Sequence, residues 1–316
     1  MFRREAASFN HPGKQVPRGL NTESVAPSAI PFRKELQRFF VTPREMTEAE
    51  IEAVLDRFAR AASIVKKAGF TGVQIHGAHG YLVSQFLSPH HNRRTDAWGG
   101  SAQNRRRFVL EAYRRIRSAV GASFPVAIKL NSADFQRGGF SETESMEVIA
   151  ALAAEGVDLV EVSGGTYEAP AMSGARVPDA TREREAYFLE FAKSARKAVK
   201  VPLAVTGGFR TAGAMAGALA DDSLDMVGMA RPLAVDPDYA NRILTGRPPT
   251  VIIRPITTGI RFLDKTALME VAWYSRQLRR MAKGENPRPN ESGLVSFIKV
   301  MVSSTWRTNQ TRRLRA

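Results

Sequence analysis

Residues Gly72–Leu82 read GVQIHGAHGYL, a strand-like run that stops in His76, His79 and Tyr81, and the chain has only five histidines to spend. Three kinds of chemistry suit that pattern. Two imidazoles three positions apart can begin a metal site, but no third ligand of suitable character stands near them, and no metal is expected. They can be hydrogen-bonded core histidines. Or they can aim two N–H groups at one oxygen and stabilise negative charge growing on a carbonyl, with Tyr81 beyond them to deliver a proton. The small residues Gly77, Ala78 and Gly80 leave room for a ligand.

A second group lies further along. Lys129, in VAIKLNSAD, stands near the end of an apolar run. There it either puts positive charge beside a cofactor that becomes negative on reduction, or makes an internal ion pair with Asp134 or Glu161. Gly207 and Gly208, in VTGGFR, would let backbone amides approach an anion where a helix begins. Arg231, in VGMARP, reads as the end of the next strand, with a guanidinium suited to phosphate. Together these support a phosphorylated cofactor; the plainer reading is turn geometry and a structural ion pair. The stretch SPHHNRRTDAWGGSAQNRRRF reads as a structural loop pinned onto the following helix.

The elements that must position these residues alternate. Residues 12–46 are rich in turn formers and read as a long loop. Thr47 and Glu50 fit a capping box before a helix that Gly69 ends. TGVQIH is a buried strand. Ser101 opens a helix stopped by Gly121, PVAIKLN is a strand, and Ser141 with Glu144 caps a helix stopped by Gly156. VDLVEVSGG is a strand, a helix is expected over 183–199, VPLAVTGG is a strand, and an alanine-rich helix follows. SLDMVGMARP reads as a strand, Asp236 with Pro237 as a helix start, and Asp264 to Lys283 as a terminal helix. Five clear strands, with EAASFN as the stub of one more, mean a parallel sheet covered by helices. The polar and glycine-rich residues gather at the strand-to-helix ends, where such folds place their sites.

The totals set bounds. The chain has 316 residues, no cysteine and a net charge of +15. Without cysteine there is no disulfide, thiolate metal site or thiol catalysis. No run approaches the roughly 20 apolar residues of a membrane span. A cytoplasmic protein is expected, with a small-molecule substrate and no membrane partner. The basic excess reads as a solvated face and a basic tail rather than specific nucleic-acid binding, since no recognition motif accompanies it.

AGFTGVQIHGAHGYLVSQFLSP, NRRTDAWGGSAQNRRRF, VDLVEVSGG, VTGGF and MARPLAVDPD closely resemble the old yellow enzyme family of FMN-dependent NAD(P)H:flavin oxidoreductases and ene-reductases. The resemblance runs from about His11 to Gly284. It implies a (β/α)8 TIM barrel with FMN at its carboxyl-terminal mouth and NADH or NADPH as reductant. It implies that His76 and His79 bind the substrate carbonyl, that Tyr81 donates the proton, and that Lys129 meets the flavin where most members have arginine. Gly208, Ala230 and Arg231 match the phosphate-binding loops, with Gly207 beside them. The implied reaction is reduction of the C=C bond of activated alkenes such as enones.

The chain also departs from the family. HPGKQ resembles the motif after the third strand, and Ser8 stands where the family has a flavin-binding glutamine. An α/β barrel lacking its first two βα units, about 60 residues at about 30 per unit, is therefore expected. It would form one domain over 1–316: a stub and loop over 1–46, a terminal helix within 257–290 and a basic tail over 291–316. Unpaired sheet edges would favour homo-oligomers. The alternative function is a non-catalytic barrel remnant acting as an interaction module.

Overall fold

The structure, a computed structural model, describes residues 5–21, 23–171, 185–247, 256–260, 264 and 268–303. Strands and helices alternate: β1 (Ala6–Phe9), β2 (Val25–Ala26), β3 (Arg44–Glu45), α1 (Glu48–Lys67), β4 (Gly72–Gly77), α2 (Leu82–Leu87), α3 (Ala102–Val120), β5 (Val126–Asn131) and α4 (Glu142–Ala154). Then come β6 (Leu159–Ser163), α5 (Leu189–Ala198), β7 (Leu203–Thr206), α6 (Ala212–Ala220), β8 (Met226–Gly228), α7 (Arg231–Val235), α8 (Tyr239–Leu244) and α9 (Leu268–Met281). Six strands form one sheet in the order β1-β4-β5-β6-β7-β8. Every pairing from β1 to β7 is parallel. EAASFN is a strand, joined to β4 with Ala6 opposite Gly72.

The chain groups into two compact units. The first holds the described residues up to Ala169 together with Phe188–Val205 and Ser223–Met226; the second holds Pro170, Ala171, Glu185–Tyr187, Thr206–Asp222 and the described residues from Val227 onward.

The first unit is built by the signals in its sequence. Both capping boxes form, Thr47 with Glu50 and Ser141 with Glu144, each satisfying amides that the first helical turn leaves unpaired. Gly69, Gly121 and Gly156 follow their helices with positive φ. α1 packs on α3, burying Ile51, Leu55 and Phe58 of one and Phe108, Ala112 and Ile116 of the other.

The loop after α2 is pinned as expected. Arg94 donates to the carbonyls of Pro27 (3.1 Å) and Met46 (2.7 Å) and pairs with Asp96 (2.5 Å). Asn92 spans the carbonyls of Phe86 and Trp98, and Arg105 ties Leu87 to Glu144.

Several expectations need correction. The long loop carries a short parallel ladder, β2 on β3. The helix expected over 183–199 begins only at Leu189, because Glu185 and Ala186 take positive φ; residues 183 and 184 lie outside the described residues. Arg231 does not end a strand: β8 stops at Gly228, and Pro232, suited to a first turn, makes Arg231 the first residue of α7. Asp236 closes α7 instead of opening a helix, and the next helix is capped at Asp238. Within the expected terminal helix, α9 spans Leu268–Met281, Asp264 is helical, and residues 265–267 lie outside the described residues. Residues 293–303, in the expected basic tail, are helical, while the arginines at 307, 312, 313 and 315 lie outside the described residues.

Two tests follow. Arg94→Ala leaves two buried carbonyls without a donor and should cost about 3 kcal/mol in urea unfolding, against about 1 kcal/mol for Thr47→Ala. Equal costs would show the loop is not held by Arg94. All five histidines are pulled below their ordinary 6.5, with burial the largest cause, His11 and His76 to about 4. The unfolded chain then binds more protons between pH 6.5 and 4, so stability should be intact above 6.5 and fall as pH drops through that window. A flat unfolding midpoint across it would refute the burial.

Candidate functional site

Register places the charged residues in a row. His76 on β4 lies opposite Lys129 on β5, and Lys129 opposite Glu161 on β6. Side chains in one row of a parallel sheet share a face, and Gln74, two residues before His76, shares it too. Lys129 Nζ meets Glu161 Oε1 at 2.7 Å, and Gln74 donates to Glu161 Oε2 at 2.7 Å. Ser8 of β1 donates to Gln74 at 3.3 Å, which continues the chain of contacts to the next strand. Of the two ion partners open to Lys129, the structure selects Glu161. Asp134 is buried instead on Asn131 Nδ2 (3.1 Å) and the Phe140 amide (3.1 Å), and burial raises its carboxyl.

Beyond β4 the backbone turns sharply. His79 has φ +61° and Gly80 φ +76°, both left-handed. The positive φ favours glycine at position 80, and a Cβ there would also push on Gln15 Nε2 at 2.7 Å. The turn is held from three sides. Gln15 donates to the His79 carbonyl (2.8 Å), the His79 amide donates to Asn131 Oδ1 (3.1 Å), and His79 Nε2 lies 2.8 Å from Ser163 Oγ.

The turn brings three sequence-predicted residues together. The rings of His76 and His79 are 5.2 Å apart, and Tyr81 meets His76 edge-on at 5.1 Å. All three residues are half-buried. Burial, and then the Lys129 ammonium, pull His76 down to about 4; burial with the neighbouring His76 and Lys129 holds His79 well below its ordinary value. At neutral pH both rings are therefore neutral, each with one N–H to donate.

Gly207, Gly208, Ala230 and Arg231 belong to the second unit and form their own arrangement. Gly207 (φ +140°) and Gly208 (φ +93°) follow β7, and a Cβ on Gly208 would come within 2.8 Å of the Tyr187 ring and 2.9 Å of the Ala186 amide nitrogen. The Glu185 carboxylate accepts from the amides of Arg210 (2.6 Å) and Thr211 (3.0 Å), at the opening of α6. Ala230 is the N-cap of α7, and Arg231 lies 3.7 Å from Glu270, whose carboxyl is raised by burial.

Sequence reasoning passed over several residues that shape the first arrangement: Gln15, Asn131, Ser163 and Tyr167. The Tyr167 hydroxyl is 3.1 Å from that of Tyr81. The segment SGGTYEAP carried a signal in its glycines and tyrosine, but no spacing tied it to Tyr81, 86 positions earlier. A further buried group collects His90, His91 and Glu168, whose donor atoms lie within 4.8 Å of one another. Lys14 Nζ stands among them, 3.2 Å from His91 Nδ1 and 3.1 Å from Glu168, so a side chain supplies the cation.

Comparison with known proteins places this geometry. Residues 7–250 match the model of the NADH:flavin oxidoreductase / NADH oxidase family. A NADH-dependent flavin oxidoreductase of Neonectria sp. (strain DH2) is 40% identical over 78% of the chain and 34% of its own length. Another, of Talaromyces variabilis, is 37% identical over 87% of the chain and 73% of its own length. The chain thus spans about a third of one relative and about three-quarters of the other. An old yellow enzyme homologue from Zymomonas mobilis shares the fold with a TM-score of 0.63 at 24% identity, over 78% of this chain and 68% of that one. That neighbour is an α/β barrel, and the six-stranded sheet described here is an incomplete barrel of the same class. FMN is the cofactor of the matched family, and a nicotinamide nucleotide its reductant. No described helix is long and apolar enough to cross a membrane. The chain belongs to the NADH:flavin oxidoreductase / NADH oxidase family, the old yellow enzyme family that its HGAHGY block resembles.

Proposed function

We propose that this chain carries the site of an FMN-dependent NAD(P)H oxidoreductase that reduces the C=C bond of activated alkenes such as enones. The observation that carries the reading is the pair of neutral imidazoles 5.2 Å apart with Tyr81 beside them. A carbonyl oxygen accepting from both N–H groups would have its growing negative charge stabilised, which makes the β-carbon a better hydride acceptor. Tyr81 would give its proton to the α-carbon.

The donor set suits a phosphorylated flavin. Gly207 and Gly208 turn the backbone after β7 without side chains, Ala230 and Arg231 open α7, and Lys129 puts an ammonium in the row with His76. Within the second unit, Gly207, Gly208, Ala230 and Arg231 would hold a phosphate; within the first, Lys129 would offer positive charge to a reduced flavin. Bound FMN would pass hydride from the nicotinamide to the substrate.

A second reading, a non-catalytic interaction module, draws on the internal pairing of the same cations: Lys129 with Glu161 and Arg231 with Glu270. Uptake of FMN, with bleaching by NADH or NADPH without oxygen, separates the two. A purified chain that stays colourless in excess FMN would favour the module.

His76→Ala combined with His79→Ala should weaken binding of a phenol to the flavin-loaded protein about 100-fold, as two hydrogen bonds to a charged oxygen are lost, with FMN retained. Loss of FMN itself would make the histidines structural and defeat the proposed role. The spectral change on phenol titration measures both.

A further inference from the structure

We propose that Tyr167 is the positioning residue for proton delivery: its hydroxyl, 3.1 Å from that of Tyr81, orients the Tyr81 proton and donates to the oxygen left behind when that proton departs. This rests on the role proposed for Tyr81 and extends it to a residue on another loop.

Tyr167 is held by its neighbours on both sides. Thr166 forms a β-bridge with His79, and its hydroxyl accepts from the amides of Glu168 (3.2 Å) and Ala169 (3.1 Å). The preceding Gly165 carbonyl accepts from Asn131 Nδ2 at 3.0 Å, the same side chain that holds the His79 amide. On the other side, Glu168 is buried against Lys14 (3.1 Å) and accepts from the Arg33 amide (2.9 Å). The loop is therefore fastened at Gly165, Thr166 and Glu168, and Tyr167 projects from between them. Its ring meets Tyr81 edge-on at 6.1 Å and Phe40 at 6.2 Å.

The chemistry follows from the pair. When Tyr81 protonates the α-carbon, its O–H bond breaks and a C–H bond forms from the electron pair of the enolate carbon. The O–H electrons stay on the Tyr81 oxygen as a phenolate. A hydroxyl donating to that oxygen strengthens as the charge grows, which lowers the barrier to the step. Burial, with Tyr81 beside it, pushes the Tyr167 phenol well up, so Tyr167 keeps its own proton and serves as donor. Water restores the proton of Tyr81 after product leaves. Among the described residues, the titratable groups against Tyr81 are His76 of β4 and Tyr167, and Lys129 and Glu161 share the row of His76.

Tyr167→Phe keeps the ring and removes the hydroxyl. In the flavin-loaded protein it should slow alkene reduction about tenfold, leave KM for the alkene within twofold, and leave flavin reduction by NADH unchanged. In Tyr81→Phe background it should have no further effect. Tyr167→His, which retains a ring and an N–H donor, should recover part of the rate. Without any cofactor, ultraviolet resonance Raman spectra should show a tyrosine hydroxyl losing its partner in Tyr81→Phe, and that signal should vanish in the double variant. An unchanged rate in Tyr167→Phe with wild-type folding, or additive losses in the double variant, would overturn the proposal. Full alkene reduction by Tyr81→Phe would instead overturn the proposed proton donor, while the Raman comparison still decides whether the hydroxyls are paired.

Discussion

The site depends on one constraint, the register of three parallel strands. His76, Lys129 and Glu161 share a face only because β4, β5 and β6 align those three positions. A slip of one residue on β5 would turn Lys129 to the other face and leave Glu161 without its cation. The hydrophobic faces oppose that slip: Ile75, Ile128 and Val160 are fully buried, and the slip would move Ile128 out of the core. Burial of aliphatic side chains on one face thus fixes the charges on the other. The two meanings open to Lys129 become one arrangement. Paired with Glu161, the ammonium is held in the row beside His76, and from there it disfavours a second proton on either histidine. Burial is the main reason the imidazoles stay neutral; Lys129 adds to it, and Glu161 opposes it at His76.

The second dependence is the left-handed turn at His79. A residue with a side chain costs of order 1–2 kcal/mol in that conformation and persists where its surroundings over-determine it. Here Gln15, Asn131 and Ser163, from three separate segments, each hold His79. Gln15 is placed by the turn Gly13–Gln15, where Gly13 (φ +55°) lets Gln85 Oε1 accept from the Lys14 amide at 3.2 Å. The HPGKQ segment therefore acts as a brace. Its lysine reaches Glu168 and its glutamine reaches His79, so one short piece of chain holds both sides of the tyrosine pair.

What the sequence made legible divides along a physical line. Caps, helix stops and buried strands depend on contacts within a few residues, and Thr47 with Glu50, Ser101, Ser141 with Glu144 and Gly121 all read correctly. The HGAHGY block was legible because its three residues are neighbours in the chain. Arg231 was misread because β8 is only three residues long, and an apolar run does not say where strand gives way to a proline-led helix. The choice between Asp134 and Glu161 could not be made from spacing, since it turns on register. Lys14 and Glu168 lie 154 positions apart and Tyr81 and Tyr167 lie 86 apart, and no local rule joins such pairs.

Charge pairing in the second unit bears on how an anion can bind there. The amides of Arg210 and Thr211 already serve the Glu185 carboxylate, and Arg231 already faces Glu270. A phosphate arriving at Arg231 does not meet a bare cation. It adds negative charge beside Glu270, a carboxyl that burial already makes reluctant to ionise. Protonating that carboxyl, or moving Arg231 away from it, would be part of binding, so the free energy gained from the guanidinium is a difference and not a whole ion pair. The glycine turn meets opposing charge too, since the Glu185 carboxylate sits on the amides two and three residues after Gly208. The Tyr187 ring also fills the space where a Cβ at Gly208 would stand, so at the glycine turn, as at Arg231, any gain from an anion would be a difference against contacts already made.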